Sequence, residues 1–419
     1  MTSTPAPSLS EIARVFGRIG LLSFGGPAAQ IAMLQTETVD RRPWLTGESF
    51  ATGLSFCMLL PGPEAMQLAT WCGWRLRGLP GGVIAGGLFV LPGALVILIL
   101  ALVYAYLGDV PLVRSLFLGV QAAVVAIVVQ ALIRLSARAL TRRSDWVIAA
   151  LSFAALFVFD LPFPLVLAVA ALYGATRVTS HGPSAATLPR PNLPLVAGFI
   201  ALWWGPILAL WLSGAALLTQ IALFFSKLAV VTFGGAYAVL AYMAQEVVEE
   251  RAWLDPAEMI DALGLAETTP GPLILVTEFV GFLAGFGAGG AGLGIAAAVV
   301  TLWVTFVPCF LWIFALGPYI DWVSGQPRLA GALSGVMAAV VGVIAALALW
   351  FAMQVLFSDQ IAWVLPVGLG TLGLPVLSSV NLVACALSGF AAVLLWANRL
   401  GVPAILAICA GGALAASGL

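Results

Sequence analysis

Two short motifs combine hydroxyl, glycine and proline residues inside otherwise apolar segments, and each motif occurs twice. The first is Ser23-Phe24-Gly25-Gly26-Pro27, which returns as Thr232-Phe233-Gly234-Gly235, and the second is Pro61-Gly62-Pro63, which returns as Pro270-Gly271-Pro272. Glycine and proline interrupt helices, leaving backbone N–H and C=O groups without partners. Within a bilayer such backbone survives only when it is buried in protein or lines a wet cavity. The four interruptions therefore predict the position of a functional site.

Charged and hydroxyl side chains accompany the first motif in both copies. Ser23 and Thr232 place a hydroxyl at equivalent positions, and Arg18 and Lys227 place a cation somewhat more than one helical turn earlier. The N-terminus of a half-helix also attracts anions. Two cations, two hydroxyls and several free N–H groups would suit a small dianion with tetrahedral oxygens.

A purely structural interpretation of these residue types is also open. Glycine in membrane helices often serves only close packing, and a single arginine near a helix end commonly extends its charge to the lipid headgroups. For Arg14 and Arg75 we prefer the structural interpretation, in which the side chain extends its charge to the lipid headgroups.

Three carboxylates lie in apolar segments beside the second motif. They are Glu64, Glu267 and Glu278, and none has a carboxylate at the equivalent position of the other copy. Ionisable groups at membrane depth are costly and typically mark a pathway or a proton relay. They could instead pair with Arg75 or Arg77 near the surface.

The sequence thus predicts a set of binding residues and a set of coupling residues. The predicted substrate-binding residues are Arg18, Ser23, Phe24, Gly25, Gly26, Pro27, Pro61, Gly62, Pro63, Gln67, Lys227, Thr232, Phe233, Gly234, Gly235, Pro270, Gly271 and Pro272. The predicted proton-coupling residues are Glu64, Glu267 and Glu278. No catalytic residue, metal ligand or cofactor is predicted, because five scattered cysteines and one histidine show no ligand spacing.

Composition identifies the elements that must position these residues. The chain of 419 residues is 62% apolar and 8% charged, against about 45–50% and about 25% in soluble domains. The apolar runs are continuous rather than alternating, which favours helices over a β-barrel. We predict an all-α polytopic membrane protein, with room for about 10–13 crossings of about 20 residues each.

The chain is a tandem duplication. Shifting it by 209 positions places Phe16 on Phe225 and Trp44 on Trp253, and a later insertion of about seven residues aligns Pro92 with Pro308. Residues 1–209 carry 13 Arg and 8 acidic residues, whereas residues 210–419 carry 4 basic and 10 acidic residues. Because basic loops stay cytoplasmic, this opposite bias predicts an inverted repeat. The predicted division is a first repeat at residues 1–176, a linker and connecting helix at 177–217, and a second repeat at 218–419.

Several segments have more than one interpretation. Residues 48–77 are split by Pro61-Gly62-Pro63 into halves too short to cross, so they form one broken crossing or a re-entrant hairpin. Shorter apolar segments at residues 361–374, 382–396 and 402–414 close the chain. Polar residues that could line a pore or join helices are Gln30, Gln121, Gln130 and Asn381. Residues expected to fix the turns and anchor the interface are Glu37, Arg42 and Trp44, with Glu246, Arg251 and Trp253 in the second copy.

The paired motifs resemble those of the chromate ion transporter family in its long, two-domain form. The resemblance is carried by Phe24-Gly25-Gly26-Pro27, Trp44-Leu45 and Leu60-Pro61-Gly62-Pro63-Glu64, with their counterparts in the second copy, and it covers nearly the whole chain. It implies export of chromate across the bacterial inner membrane, with sulfate as a close analogue and protons as one proposed coupling ion.

The predicted function is therefore secondary active export of chromate or a related oxyanion, with no enzymatic activity. A passive anion channel or an importer of sulfate-like oxyanions is the alternative. The expected partners are the small oxyanion, the lipid bilayer and a second copy in a homodimer, and no nucleic acid is expected. A membrane reductase is disfavoured because the sequence lacks a Cys/His cluster and a nucleotide motif.

Overall fold

The protein is built almost entirely from helices, which confirms the predicted fold class. The computed structural model describes residues 7–24, 26–108, 110–159, 161–177, 190–233, 236–320, 322, 326–364, 371–397 and 400–418, and these contain fifteen α-helices. The elements long and apolar enough to cross a membrane are Glu64–Leu107, Pro111–Ala139, Leu193–Leu212, Leu273–Tyr319 and Pro327–Leu356.

The chain divides into two compact units, each of which contains segments from both copies. The first unit comprises Met1–Ala105, Gly182–Ala236 and Thr269–Gln326. Its helices are α1 (Leu9–Leu22), α2 (Gly26–Gln35), α3 (Gly47–Cys57), α4 (Glu64–Leu107), α8 (Leu193–Leu212), α9 (Ala216–Val231) and α12 (Val276–Leu316). The connecting helix predicted between the copies is α8, whose Trp203 indole donates a 3.0 Å hydrogen bond to Ser226 of α9.

The Pro61-Gly62-Pro63 motif is the tip of a re-entrant hairpin rather than a break within one crossing. Gly53 of α3 lies against the indole ring of Trp71 in α4. In one continuous helix these residues would be about 27 Å apart, at 1.5 Å per residue. Their contact means that α3 and the start of α4 run side by side in opposite directions.

Helices α4 and α12 each turn back on themselves at a glycine. In α4 the backbone leaves helical geometry at Arg77 and Gly78, and Gly86 then lies against the Thr70 hydroxyl. In α12 the backbone turns back at Gly289 and Gly290, which brings Gly281 into contact with Thr301. Each element is therefore a short arm followed by a longer one, and the same shape in both copies reflects the duplication.

The second unit comprises Tyr106–His181, Tyr237–Thr268 and Pro327–Leu419. Its helices are α5 (Pro111–Ala139), α6 (Arg143–Phe157), α7 (Phe163–Thr176), α10 (Ala236–Ala244), α11 (Pro256–Thr268), α13 (Pro327–Leu356), α14 (Leu382–Ala397) and α15 (Val402–Ser417). The α7–α13 contact is made by small residues, since Gly174 meets the backbone of Gly331 and Gly335 meets that of Ala170. Small residues allow close helix approach in membranes, where apolar burial gives no net driving force.

A β-hairpin replaces one expected apolar segment. Strands β1 (Gln360–Val364) and β2 (Thr371–Pro375) pair antiparallel, with Gln360 opposite Pro375. The apolar segment expected at residues 361–374 thus contains paired strands rather than a helix in its described part. Pro366, Gly368, Gly370 and Gly373 disfavour a helix there, and β-branched or aromatic residues flank them.

Candidate functional site

The interrupted segments of the two copies meet inside the first unit and bond to each other reciprocally. The Gly62 N–H donates to the Thr232 carbonyl at 2.8 Å, and the Gly271 N–H donates to the Ser23 carbonyl at 3.1 Å. Gly62 and Gly271 are repeat equivalents, as are Ser23 and Thr232. We call the Ser23–Gly271 contact the first junction and the Thr232–Gly62 contact the second junction. Each joins one copy to the other, as a local two-fold relation requires.

Both junction glycines adopt backbone angles that other residues rarely tolerate. Gly62 has φ +124° and Gly271 has φ +93°. A Cβ atom on Gly62 would lie 2.7 Å from Gln67 Nε2 and 2.9 Å from Cys309 Sγ, and one on Gly271 would lie 2.8 Å from Leu275 Cδ1. Glycine is thus required at both junctions by conformation and by close packing.

The residues packed against the two junctions are also repeat equivalents. Gly93 lies against the Pro270 carbonyl, and Cys309 lies against Gly62. These positions follow Pro92 and Pro308, the two prolines that the predicted insertion aligns.

Two buried glutamines add amide groups to the junctions. Gln30 Nε2 donates to the Gly271 carbonyl at 2.6 Å and to the Ser23 carbonyl at 3.3 Å, so it bridges both sides of the first junction. Gln67 Nε2 donates to the Pro61 carbonyl at 2.7 Å, within its own hairpin. The Oε1 atoms of both glutamines are buried without a hydrogen-bond partner among the described residues.

The expected free donors are occupied in this conformation. The junction bonds engage the N–H groups of Gly62 and Gly271. The Ser23 hydroxyl donates to the Gly20 carbonyl at 3.2 Å, and the Thr232 hydroxyl donates to the Leu228 carbonyl at 2.6 Å. The N–H groups of these two glycines are therefore not free in this conformation, because the opposite copy supplies their acceptors.

The predicted cations lie on exposed surfaces of their helices. The side chains of Arg18 in α1 and Lys227 in α9 are both exposed, whereas Ser23 and Thr232 are fully buried. Of the other predicted residues, Phe24 and Phe233 are half-buried. Gly26 and Pro27 begin α2, while Pro61, Pro63, Pro270 and Pro272 flank the tip glycines. Gly25, Gly234 and Gly235 lie outside the described residues.

The three predicted coupling carboxylates have different surroundings. Glu64 is half-buried at the first position of α4, and Glu267 is buried near the end of α11 in the second unit. Glu278 in the first turn of α12 is 1% exposed, and its Oε2 atom has no partner among the described residues. Thr301 and Thr305 lie in the long arm of α12, which folds back over this turn, and their buried hydroxyls also lack partners there.

The charged turn of the first copy is held as predicted. Glu37 is buried and accepts from Arg41 Nη1 at 2.7 Å and from Arg42 Nη1, and the Arg42 guanidinium lies 5.8 Å from the centre of the Trp44 ring. Burial raises the pKa of Glu37, but the hydrogen bonds and charges of the two arginines outweigh this effect and hold the pKa below its ordinary value.

The matching turn in the second unit has the same construction. Arg251 Nε lies 3.4 Å from Glu246 Oε2, and its guanidinium lies 5.0 Å from the Trp253 ring centre. The ion pairs and ring contacts fix both turns as expected, and their role as anchors at the interface stays a prediction.

Sequence reasoning missed one buried polar pair in the second unit. Gln121 Nε2 of α5 donates to Asp261 Oδ1 of α11 at 2.5 Å, and Asp261 is 8% exposed. A single Asp in a short apolar stretch was a usable signal. Gln121 was noted, but its partner could not be read from spacing because the two residues are 140 positions apart.

Two repeats that meet at interrupted helices, in a helical protein with long apolar elements, form the architecture of many secondary transporters. The chromate transporter family model matches residues 10–175 and 219–416, and the chain belongs to this family. The resemblance inferred from the motifs is therefore confirmed.

Curated relatives match most of the chain. The chromate transport protein of Pseudomonas aeruginosa is 34% identical over 346 residues, covering 82% of this chain and 80% of its own length. That of Cupriavidus metallidurans is 31% identical over 353 residues, covering 82% of each chain. The probable chromate transport protein of Synechococcus elongatus is 31% identical over 350 residues, covering 81% of this chain and 84% of its own. No solved structure gives a significant match.

Proposed function

We propose that this protein is a secondary transporter that exports chromate, or a related tetrahedral oxyanion such as sulfate, across the bacterial inner membrane. Family membership and the names of the curated relatives support chromate as the substrate. In this proposal residues 1–176 and 218–419 are the two repeats, joined by residues 177–217. Assembly into a homodimer stays a prediction.

The observation that carries the proposal is the reciprocal pair of junction bonds. Each junction presents the backbone N–H of an interrupting glycine, now bonded to a carbonyl of the other copy. When a junction opens, the N–H of Gly62 or Gly271 loses its acceptor and becomes available to an anion oxygen. A tetrahedral dianion can take the place of the departing carbonyls, and the nearby Gln30 and Gln67 amides can add donors.

The remaining predicted binding residues keep supporting roles in this proposal. The Ser23 and Thr232 hydroxyls now donate within their own helices and would have to rotate toward an anion. Arg18 and Lys227 are exposed, so we assign them to attracting the anion electrostatically. Changing either to Ala should reduce transport without loss of expression, and full transport by both variants would remove them from the pathway.

Proton coupling is assigned to Glu278, with Glu64 and Glu267 as further candidates. Glu278 is a buried carboxylate with one oxygen that lacks a partner among the described residues, and two hydroxyls on the arm packed over it lack partners there too. Together these groups form an incomplete polar cluster. Such a cluster suits a group that gains and loses a proton during the cycle.

The deciding experiment measures anion uptake into inside-out vesicles, with labelled chromate and sulfate, with and without an imposed proton gradient. We expect chromate accumulation that sulfate inhibits and an uncoupler abolishes. Equilibration that ignores the gradient would favour a passive anion channel, and accumulation only in right-side-out vesicles would favour an importer. Absence of chromate flux would refute the substrate.

A further inference from the structure

A polar cavity lies at the open end of the α3–α4 hairpin, away from its tip. It measures about 290 Å³ and is lined chiefly by Thr46, Ser49, Thr52, Trp71, Trp74 and Arg75. Arg75 is 12 positions after Pro63, so the cavity lies on the order of 18 Å from the tip along the helix. One hairpin therefore carries the junction glycine at one end and this cavity at the other.

Trp71 lines the cavity and carries a buried donor. Its side chain is 3% exposed, and its Nε1–H has no hydrogen-bond partner among the described residues. The six-membered part of the indole lies against Gly53. A buried polar group left unpaired costs free energy unless a ligand or water satisfies it, so this N–H indicates a missing acceptor.

Arg75 supplies the positive charge of the cavity. Its guanidinium carbon lies 5.9 Å from the centre of the Trp71 ring, and the described residues show no ion pair for it. The aromatic ring holds the guanidinium in place and leaves its N–H groups available. Arg75 is exposed and lines the cavity, and the headgroup contact that the sequence suggested for it stays a prediction.

Hydroxyls of α3 complete the donor set. Thr46 caps the helix by accepting the Ser49 N–H at 3.1 Å, which places the Ser49 and Thr52 side chains along the cavity wall. The Thr52 hydroxyl donates to the Glu48 carbonyl at 2.9 Å, so it can accept but must turn to donate outward. A guanidinium, an indole N–H and hydroxyls are the donors that recognise tetrahedral oxyanions.

We propose that this cavity, the Trp71 cavity, is a second oxyanion site that receives the transported anion at one membrane face before or after it passes the junctions. The inference rests on the proposed function, because it takes a tetrahedral oxyanion as substrate. The volume admits one such anion with several waters, each of which occupies about 30 Å³ in the liquid.

Glu48 allows the proposal to be tested by two substitutions with opposite expected effects on anion binding. Its carboxylate is exposed and also lines the cavity, where it repels a bound anion. Neutralising Arg75 should therefore weaken anion binding, and neutralising Glu48 should strengthen it. A merely structural polar cavity would not respond to the two changes with opposite sign.

The test compares wild type with Arg75→Gln, Trp71→Phe and Glu48→Gln in reconstituted vesicles, using Arg14→Gln as the control. Arg14 is also an exposed arginine of the first unit but does not line the cavity. The half-saturating chromate concentration should rise about tenfold for Arg75→Gln and about threefold for Trp71→Phe, since the guanidinium offers a full charge and several N–H donors whereas the indole offers one neutral N–H. It should fall for Glu48→Gln, and the maximal rate should change less than twofold.

Unchanged half-saturation in both Arg75→Gln and Trp71→Phe would overturn the proposal. Native mass spectrometry of detergent-purified protein adds a second arm. Loss of bound phospholipid in Arg75→Gln, with chromate half-saturation unchanged, would show that the cavity holds a lipid phosphate instead. If wild type carries no chromate, the proposed function fails separately, and equilibrium dialysis of sulfate against wild type and Arg75→Gln still tests the cavity.

Discussion

Substituting Gly62 with Ala tests whether the closed junction is a working state of the protein. At φ +124° a non-glycine residue is strained by about 1–3 kcal/mol. The new Cβ would also lie 2.7 Å from Gln67 Nε2 and 2.9 Å from Cys309 Sγ, and overpacking of this kind costs about 1–3 kcal/mol. Both neighbours are ends of side chains and can move, so we take the lower sum, about 2 kcal/mol. That shifts the closed-to-open ratio about 30-fold.

Cys309 reports the opening directly, because it is fully buried against Gly62. In a variant that retains Cys309 as its one cysteine, we expect maleimide labelling to accelerate about 30-fold when Gly62 becomes Ala, and transport to fall. Gly87→Ala is the matched control, since a Cβ at Gly87 meets no atom within 4 Å. Gly271→Ala should impair transport similarly through its own junction.

The reasoning would be refuted if Gly62→Ala transported at the wild-type rate while Cys309 stayed unreactive. Equal labelling in Gly62→Ala and Gly87→Ala would likewise show that the tip glycine does not hold the junction closed. Loss of expression in Gly62→Ala alone would be resolved by Gly271→Ala, which makes the same prediction at the equivalent position.

Three further substitutions probe the surrounding groups. Gln30→Leu should lower the initial transport rate about tenfold, because it leaves the Gly271 carbonyl without its 2.6 Å amide donor; a wild-type rate would remove the amide from the mechanism. Glu37→Gln should reduce the free energy of unfolding by about 1.5–3 kcal/mol, because it weakens the charge-assisted hydrogen bonds that Arg41 and Arg42 donate. The pKa of Glu37 is lowered in the folded protein, so its contribution to stability is present above the ordinary carboxyl pKa of about 4.3 and is lost as the pH falls through the folded value. The melting curves of wild type and variant should therefore converge only under acid conditions. Glu278→Gln should retain chromate exchange but lose its response to a proton gradient, and an intact response would move the coupling elsewhere.

The duplication could be recognised in the sequence because the residues that interrupt helices are chemically distinctive. Glycine and proline recur 209 positions apart, so the breaks and the helical class could be predicted. The choice between a broken crossing and a re-entrant hairpin could not, since both leave two short apolar halves. The Gly53–Trp71 contact decides it.

Contacts between distant segments account for most of what the sequence could not show. Nothing in the spacing pairs Gly271 with Ser23, and without that pairing the tip N–H groups look free. Arg75 resembles an ordinary interfacial arginine until the hairpin brings it beside Ser49 and Thr52. The β-hairpin was missed for a different reason, because the apolar content of residues 361–374 outweighed their glycines and proline.

The two junctions are related by the repeat but are not equally strong. At the first junction the Gly271 N–H is shared between the carbonyl and hydroxyl of Ser23, and Gln30 adds a bridging amide bond. At the second junction the described residues show one backbone bond between the copies, and there Gln67 and the Thr232 hydroxyl bond within their own segments.

This inequality follows from changes at equivalent positions, since Gln30 corresponds to Val239. At about 1 kcal/mol net for each hydrogen bond, the second junction opens at lower cost than the first. In the proposed transport cycle the amide of Gln30 would bias the protein toward states in which the first junction is closed, and the anion would have to supply the difference when it opens that side.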